Sequence, residues 1–442
     1  MHKCTKCGQE FEGNFCPECG TKWVDPELCP KCGARHGADA KFCPECGKRL
    51  EGNGAAKGIA VTDNGDKKAK LKSYLALGGI ICISLAALMG LIFTFCTGVT
   101  ATNEYYGIKE TKLLYYFFKD YLQTTDKMCD AIKVASGGDI STSRELGLYL
   151  PAVLCLIISA LGILGVVCVS AFTAYRAYKK YFLKEEANVI TPAVAVYLIF
   201  ALVATLLLSI MANEEENAKI TFSEPTLGGL ITGGIFLGAG VILFAVTNSN
   251  KKSFIEKDDK TKIFNVKSST LIELIICVLS IVVLVLIALP AVSIKISDSD
   301  GETEKGGASP LLLMRTLAYY SNDEAELGKI FAYGTIGGIA GIALAVCCVV
   351  MLHKYLCAFC NGKSSGRSPR SAIMLVAAAL YLAFSIRITD CVFDMSVVDE
   401  EYLHKDFAVP IAIVVISAIA LVAEIVEIRI RKKDELHPIV KQ

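Results

Sequence analysis

From residue 74 onward the chain alternates between long uncharged apolar runs and polar connections. Eight runs stand out, near 74–97, 148–172, 190–212, 228–247, 270–294, 329–352, 372–389 and 407–428. Each holds roughly twenty residues, and a helix rising about 1.5 Å per residue then crosses a hydrocarbon layer about 30 Å thick. In lipid the backbone amides of a segment have to be satisfied within it, so runs of this length predict helices. The pattern therefore predicts a mostly α chain, an eight-span transmembrane helical bundle.

The connections differ in charge. Residues 173–189, 248–269 and 353–371 carry four, six and four Lys/Arg, whereas 213–227 and 390–406 carry one each. The second group also holds the acidic clusters Glu214-Glu215-Glu216 and Asp399-Glu400-Glu401. Lysines and arginines favour the cytoplasmic side. The basic connections, the amino terminus and a tail with Arg429, Arg431, Lys432 and Lys433 are thus expected in the cytoplasm, consistent with an even span count. Net charge is +1 over 442 residues, which points to no partner by itself.

Spans two to four match spans six to eight at an offset of about 180 residues, and spans one and five differ by about 196. The mismatch falls in the first outer connection, 98–147. Two similar four-span halves in the same orientation are expected, 74–247 and 270–428, joined by a cytosolic connection, 248–269, and followed by a tail, 429–442. Both long outer connections carry an apolar patch, Leu113-Leu114-Tyr115-Tyr116-Phe117-Phe118 and Leu311-Leu312-Leu313-Met314. The aromatic one predicts a short helix on the outer leaflet.

The first fifty residues have different chemistry. Cys4, Cys7, Cys16 and Cys19 form two Cys-x2-Cys knuckles, and Cys29, Cys32, Cys43 and Cys46 form two more. Each knuckle sets two thiolates on one turn, and two facing knuckles supply the four sulfurs of a tetrahedral zinc site. Gly8, Gly20, Gly33 and Gly47 follow the second cysteine of each pair, where the backbone has to turn back. A thiol-redox motif needs a βαβ context that fifty residues do not hold, and a disulfide scaffold needs a secreted segment, for which no leader is seen. Two structural zinc ions are expected.

Phe15-Cys16-Pro17-Glu18-Cys19-Gly20 and Phe42-Cys43-Pro44-Glu45-Cys46-Gly47 resemble the knuckles of the double zinc ribbon family, over residues 1–50 alone. The resemblance implies a small docking or structural head rather than a catalyst. Trp23, Val24 and Leu28, between the ribbons, are expected to pack one on the other, an exposed docking spot being the alternative. Eight Lys/Arg against seven Asp/Glu leave no one-sided basic face, so nucleic acid is not expected as a partner. Residues 51–73 read as a flexible basic linker. The layout resembles bacterial membrane proteins with a ribbon head, implying a bacterial plasma membrane.

Within the apolar runs ionisable groups are few. Glu273, Glu424 and Glu427 lie near inner span ends, where they can reach an interface or one another, and Arg387 with Asp390 reads as a local ion pair. Gly229, Gly233, Gly234 and Gly238 in span four, and Gly337, Gly338 and Gly341 in span six, suit close helix packing, with a hinge as the alternative. Pro151, Pro192, Pro290 and Pro410 fall near span ends. Most other cysteines (Cys82, Cys155, Cys168, Cys277, Cys347, Cys348) sit in apolar runs as small hydrophobes. Cys357 and Cys360 form a fifth Cys-x2-Cys, half a metal site or a thiol pair; Cys129 and Cys391 fall in outer connections, where an oxidising exterior would let them pair.

No nucleophile triad, phosphate loop or HExxH occurs, and five histidines leave little for His catalysis. The expected function is non-enzymatic: a cytosolic ribbon head that is structural or docks a cytosolic or membrane protein, on a membrane domain acting as anchor, assembly platform or sensor. A transporter or channel with the ribbon as regulatory head is one alternative. A membrane thiol-redox protein using Cys357 and Cys360 is the other.

Overall fold

The chain is described here from a computed structural model. It describes residues 63–103, 108–138, 140–211, 213–215, 218–248, 268–297, 303–321, 324–361, 370–395 and 403–436, together with 2–3, 10–11 and 45. The chain divides into two units, Met1–Lys72 and Ser73–Gln442.

In the first unit, β1 (His2–Lys3) and β2 (Glu10–Phe11) pair antiparallel, His2 opposite Phe11 and Lys3 opposite Glu10. They stand on either side of the first knuckle, Cys4 and Cys7. Trp23, Val24 and Leu28 lie outside the described residues. Helix α1 (Asp63–Cys96) begins well before the apolar run. The basic end of the expected linker, Lys67 to Lys72, is therefore helical.

The second unit is mainly long helices. Among the described residues seven are long and apolar enough to cross a membrane: α1, α3 (Thr142–Tyr181), α4 (Ile190–Met211), α5 (Glu224–Asn248), α8 (Glu324–Asn361), α9 (Arg370–Met395) and α10 (Ala408–Leu436). By length and composition this is a multi-pass membrane protein. The fifth apolar run falls short of its expected end at 294. Helix α6 (Ser268–Ile287) is apolar over Leu271–Ile287, closes with tight turns at Ala288 and Leu289, and stops before Pro290. Proline has no amide to donate, and its ring clashes with the preceding turn. Pro151 lies well inside α3, because that helix starts at Thr142.

The outer connections, expected as loops with one interfacial helix, fold into a seven-stranded antiparallel sheet in the order β4-β3-β6-β5-β8-β7-β9. Its strands are β3 (Gly98–Asn103), β4 (Ile108–Leu113), β5 (Asn213–Glu215), β6 (Ala218–Phe222), β7 (Val292–Ser297), β8 (Thr303–Ala308) and β9 (Leu403–Asp406). Val, Ile and Thr recur in β3, β6 and β7 and suit a pleated, half-buried surface. Gly98 sits where the sheet meets α5. Its amide donates to Thr226 Oγ1 at 3.0 Å and its carbonyl accepts from the Ser223 amide at 3.0 Å. A Cβ there would stand 3.0 Å from Ser223 Oγ and 3.2 Å from the Lys112 carbonyl oxygen.

Two further helices lie beside the sheet, α2 (Leu114–Ser136) and α7 (Pro310–Tyr320). Helix α2 does not lie alone on a leaflet: Cys129 and Ile132 are buried against Leu148 of α3, Ala318 of α7 and Leu327 of α8. Leu311, Leu313 and Met314 of α7 are buried as well. Ser309 caps α7, accepting from the Leu312 amide at 3.2 Å, with Pro310 at the first helical position. Its hydroxyl donates to the Ile210 carbonyl at 2.9 Å, joining α7 to the end of α4.

The core is one continuous apolar cluster running through Ile83, Tyr197, Phe200, Leu344, Met374, Tyr381 and Ile413. Its helices approach closely at glycines. Gly229 faces Phe93, Gly233 and Gly234 face Tyr197, Gly337 faces Pro310, Gly338 faces Leu311, and Gly341 faces Tyr381. Gly238 has open space around it. At Gly240 a Cβ would stand 3.1 Å from the Gly79 carbonyl oxygen and 3.2 Å from the Ile83 nitrogen, so α1 and α5 meet backbone to backbone.

Helix α3 ends with the Glu185 amide donating back to the Lys179 carbonyl at 3.1 Å, around Lys184 at φ 55°. Glycine is the usual residue at such a left-handed cap, and a lysine there costs about 1 kcal/mol.

These contacts set opposite expectations for two neighbouring glycines. Gly240→Ala should destabilise the purified protein by about 1–3 kcal/mol, because the methyl meets backbone that cannot give way. Gly238→Ala should be neutral or stabilise by up to about 1 kcal/mol through helix propensity. Thermal unfolding in detergent measures both. Equal effects at the two sites would show that α1 and α5 do not meet at Gly240.

Candidate metal centre and buried membrane groups

The eight candidate zinc ligands, Cys4, Cys7, Cys16, Cys19, Cys29, Cys32, Cys43 and Cys46, lie outside the described residues. What the structure contributes is the pairing of β1 with β2 across the first knuckle. Hairpin strands flanking a Cys-x2-Cys turn are what a thiolate ligand pair needs to be held at one point. Eight thiols in four knuckles make a donor set of the kind that binds zinc, and soft thiolates select it over hard cations. Among the described residues no group of three or more His, Cys, Asp or Glu could hold a metal ion.

Cys357 and Cys360, near the end of α8, are more than nine-tenths buried. His353, on the preceding turn, places Nε2 3.5 Å from Cys357 Sγ and 3.2 Å from the Thr191 carbonyl oxygen. The pair is thus packed against α4 rather than presented on a basic loop. A reactive redox thiol has to be partly exposed. Cys129 and Cys391 are buried cysteines and are not bridged to each other. Burial pushes the Cys129 thiol above its ordinary pKa.

Of the two expectations for the membrane glutamates, that they reach an interface or one another, the structure favours the second. Glu273 of α6 and Glu424 and Glu427 of α10 are all buried, at 3%, 2% and 3% exposure. Glu424 accepts from the Ser371 amide at 3.0 Å and from the Ser371 hydroxyl. Ser371 is in the first turn of α9, so Glu424 caps a neighbouring helix, where orphan amides and the positive end of the dipole favour a carboxylate. The fully buried Tyr355 of α8 lies in the field of Glu427, Glu424 and Glu273, and its hydroxyl has no hydrogen-bond partner among the described residues. The ammonium of Lys354 stands 5.0 Å from the Tyr355 ring centre. Helices α6, α8 and α10 thus bring three carboxylates and a phenol to one end of the bundle, with Ser371 of α9 beside them.

Asp390 pairs with Lys405 of β9 at 3.1 Å, not with Arg387. The strand brings Lys405 back over the end of α9, a long-range pairing that spacing along one helix does not reveal.

Sequence reasoning passed over Arg315. It is buried in α7, its guanidinium 3.6 Å from the Tyr121 ring centre and 3.1 Å from Thr125 Oγ1. Burial pushes the Tyr121 phenol up to about 12, against the pull of the Arg315 cation. A lone arginine directly after Leu311-Leu312-Leu313-Met314 was the available signal. A small cavity of about 180 Å³ is lined by Ala101, Glu110, Lys112, Asp120, Tyr121 and Thr124. Lys112 bridges Glu110 at 2.8 Å and Asp120 at 2.9 Å there, so its charges are already paired.

Comparison with known proteins bears on the amino-terminal segment. The double zinc ribbon family model matches residues 4–47, which takes in both cysteine quartets. No curated protein and no solved structure matches the chain. Zinc binding by this segment follows from the family and fits the donor set. The protein is a multi-pass membrane protein carrying a zinc ribbon segment.

Metal analysis of the purified protein should give two zinc ions per chain, falling toward one in Cys16→Ser. A content unchanged by that substitution would remove Cys16 from the ligand set.

Proposed function

We propose that the protein is non-enzymatic, with the double zinc ribbon as a protein-docking head on a membrane domain that serves as anchor, assembly platform or sensor. The observation that carries this is the pairing of the family match over residues 4–47 with a many-span domain whose core is continuous and apolar. A zinc held by four thiolates has no open position for water or substrate. Near-balanced charge gives phosphate no basic footprint. A head tethered to the membrane samples its surface at high effective concentration, so weak docking is populated.

The reading includes eight spans and two like-oriented halves. Helix α6 has 20 residues, about 30 Å of helix, enough for the hydrocarbon layer. Element order supports the halves: helix, hairpin, helix, two long helices, strand and helix occur twice, with β5 as an extra strand in the first. In the sheet, β4-β3-β6 of the first half is repeated as β8-β7-β9, with strand directions kept. Helices α3 and α8 start 182 positions apart, at Thr142 and Glu324; α5 and α10 start 184 apart, at Glu224 and Ala408. Tyr197-Leu198-Ile199-Phe200 and Tyr381-Leu382-Ala383-Phe384 fit the same offset, and Ile80-Ile81-Cys82 fits Ile275-Ile276-Cys277. The basic connections all leave the bundle at the end away from the sheet, which supports cytoplasmic termini in a cell membrane.

Photoreactive residues at Trp23 and Arg35 should give discrete, zinc-dependent protein adducts in cells. Adducts to nucleic acid, or none above background, would sink the docking role. Tags at either terminus should resist external protease in intact cells while a tag in 213–227 is cut; the reverse pattern would overturn the orientation.

A second reading, a cation-coupled transporter or channel, is favoured by one observation, the convergence of Glu273, Glu424 and Glu427 on Tyr355. Buried intramembrane carboxylates are costly and mark ion pathways by default. On this reading Glu273→Gln with Glu427→Gln should abolish ion-dependent flux into proteoliposomes while the protein still folds. No flux in the wild type under any ion gradient would leave these groups as internal packing.

A further inference from the structure

Helix α3 has 40 residues, about 60 Å of helix, while its apolar run ends near Phe172. The last nine residues, Thr173–Tyr181, therefore extend about 13 Å past the hydrocarbon layer, more than the depth of a headgroup layer. Arg176, Lys180 and Lys184 follow one another along this extension. The Arg176 guanidinium lies 4.9 Å from the Phe172 ring centre, and Lys180 Nζ lies 5.8 Å from that of Tyr181. Tyr178 stacks on Phe182 at 5.3 Å, and both are exposed. Lys179 is neutralised by Glu185 at 3.0 Å. No carboxylate among the described residues pairs with Arg176, Lys180 or Lys184.

This end of α3 stands apart from that of α8, the other helix of similar length. The corresponding end of α8 is enclosed, with Tyr355, Cys357 and Cys360 all buried. On α3, by contrast, Tyr175, Tyr178, Tyr181 and Phe182 are all more than half exposed. Lys184 also holds the left-handed position that glycine would take without strain. A charge is kept there against local backbone preference.

We propose that the inner end of α3 is a binding collar for the headgroups of anionic phospholipids. Tyr175 and Arg176, about 5–6 Å past Phe172, sit at headgroup depth, where amphipathic side chains are favoured, and the long lysine side chains beyond them reach back toward it. The three uncompensated cations meet the phosphates of the leaflet, each worth roughly fivefold in affinity for an anionic surface. Arginine adds a planar fork suited to phosphate oxygens.

The test uses the full-length protein in nanodiscs of equal phosphatidylcholine and phosphatidylglycerol, with retained lipid counted by native mass spectrometry. Wild type should retain phosphatidylglycerol in excess. Arg176→Gln with Lys180→Gln should lower that excess by an order of magnitude or more. Lys184→Gly should lower it about fivefold without lowering the unfolding temperature, because glycine relieves the cap; this separates lost binding from lost folding. Equal retention of the two lipids by wild type, or an unchanged excess in the double variant, would overturn the collar. Displacement of the bound lipid by millimolar inorganic phosphate would also overturn it, pointing to a site for soluble anions.

Discussion

The membrane domain depends on how the connections at one end of its helices satisfy their backbone. Polar chain leaving a bilayer has to find hydrogen-bond partners at once, and short connections have few of their own. Here the strands of four separate connections find one another. The result is a single sheet to which helices α1, α4, α5, α6, α9 and α10 are tied at one end by a turn or a few residues. Helix positions in the plane of the membrane are then set by strand spacing, about 4.8 Å per strand, as much as by side-chain packing. The close glycine contacts belong to the same constraint, since helices anchored so near one another need small residues where they cross.

The helices were legible because their signal is local. Twenty apolar residues in a row demand a helix whatever surrounds them; all eight expected runs are helical, and among the described residues seven are long and apolar enough to cross a membrane. The sheet was not legible. Its strands are three to six residues long, rich in Lys, Glu and Gly, and pair with segments as far away as Val99 is from Phe222. Lys295 pairs with His404, for instance, and nothing near either residue announces it. The same blindness explains Asp390, whose partner arrives on a strand, and the glutamates, whose burial depends on four helices closing around them. The zinc ribbon segment was legible at the level of residue type, because thiolate chemistry and turn geometry constrain the spacing of its cysteines.

The two ends of the bundle are chemically opposite. At the sheet end hydroxyls and backbone dominate, with Ser223, Thr226 and Ser309 serving as short-range ties. At the far end the helix crossings differ in chemistry. Gly78 of α1 lies 3.5 Å, at an added Cβ, from Leu243 of α5. On the proposed two-half reading, with the Ile-Ile-Cys and Tyr-Leu-x-Phe matches as guides, the corresponding positions are Glu273 and Glu427. On that reading glycine and leucine close one crossing, and two buried carboxylates stand at the other. Apolar closure serves stability alone, whereas buried carboxylates cost desolvation and persist where something besides stability is being kept.

The ladder between β5 and β8 has a further consequence. It consists of two residue pairs, Asn213 with Ala308 and Glu214 with Gly307, whereas β3–β4 and β7–β8 each have six. The β5–β6 ladder is as short, with Glu214 opposite Lys219 and Glu215 opposite Ala218, so β5 is held by the fewest pairs on both sides. Parting the sheet at β5 leaves β4-β3-β6 and β8-β7-β9 as intact three-stranded pieces, and amide exchange at this junction should then report separation of the two pieces rather than fraying within either.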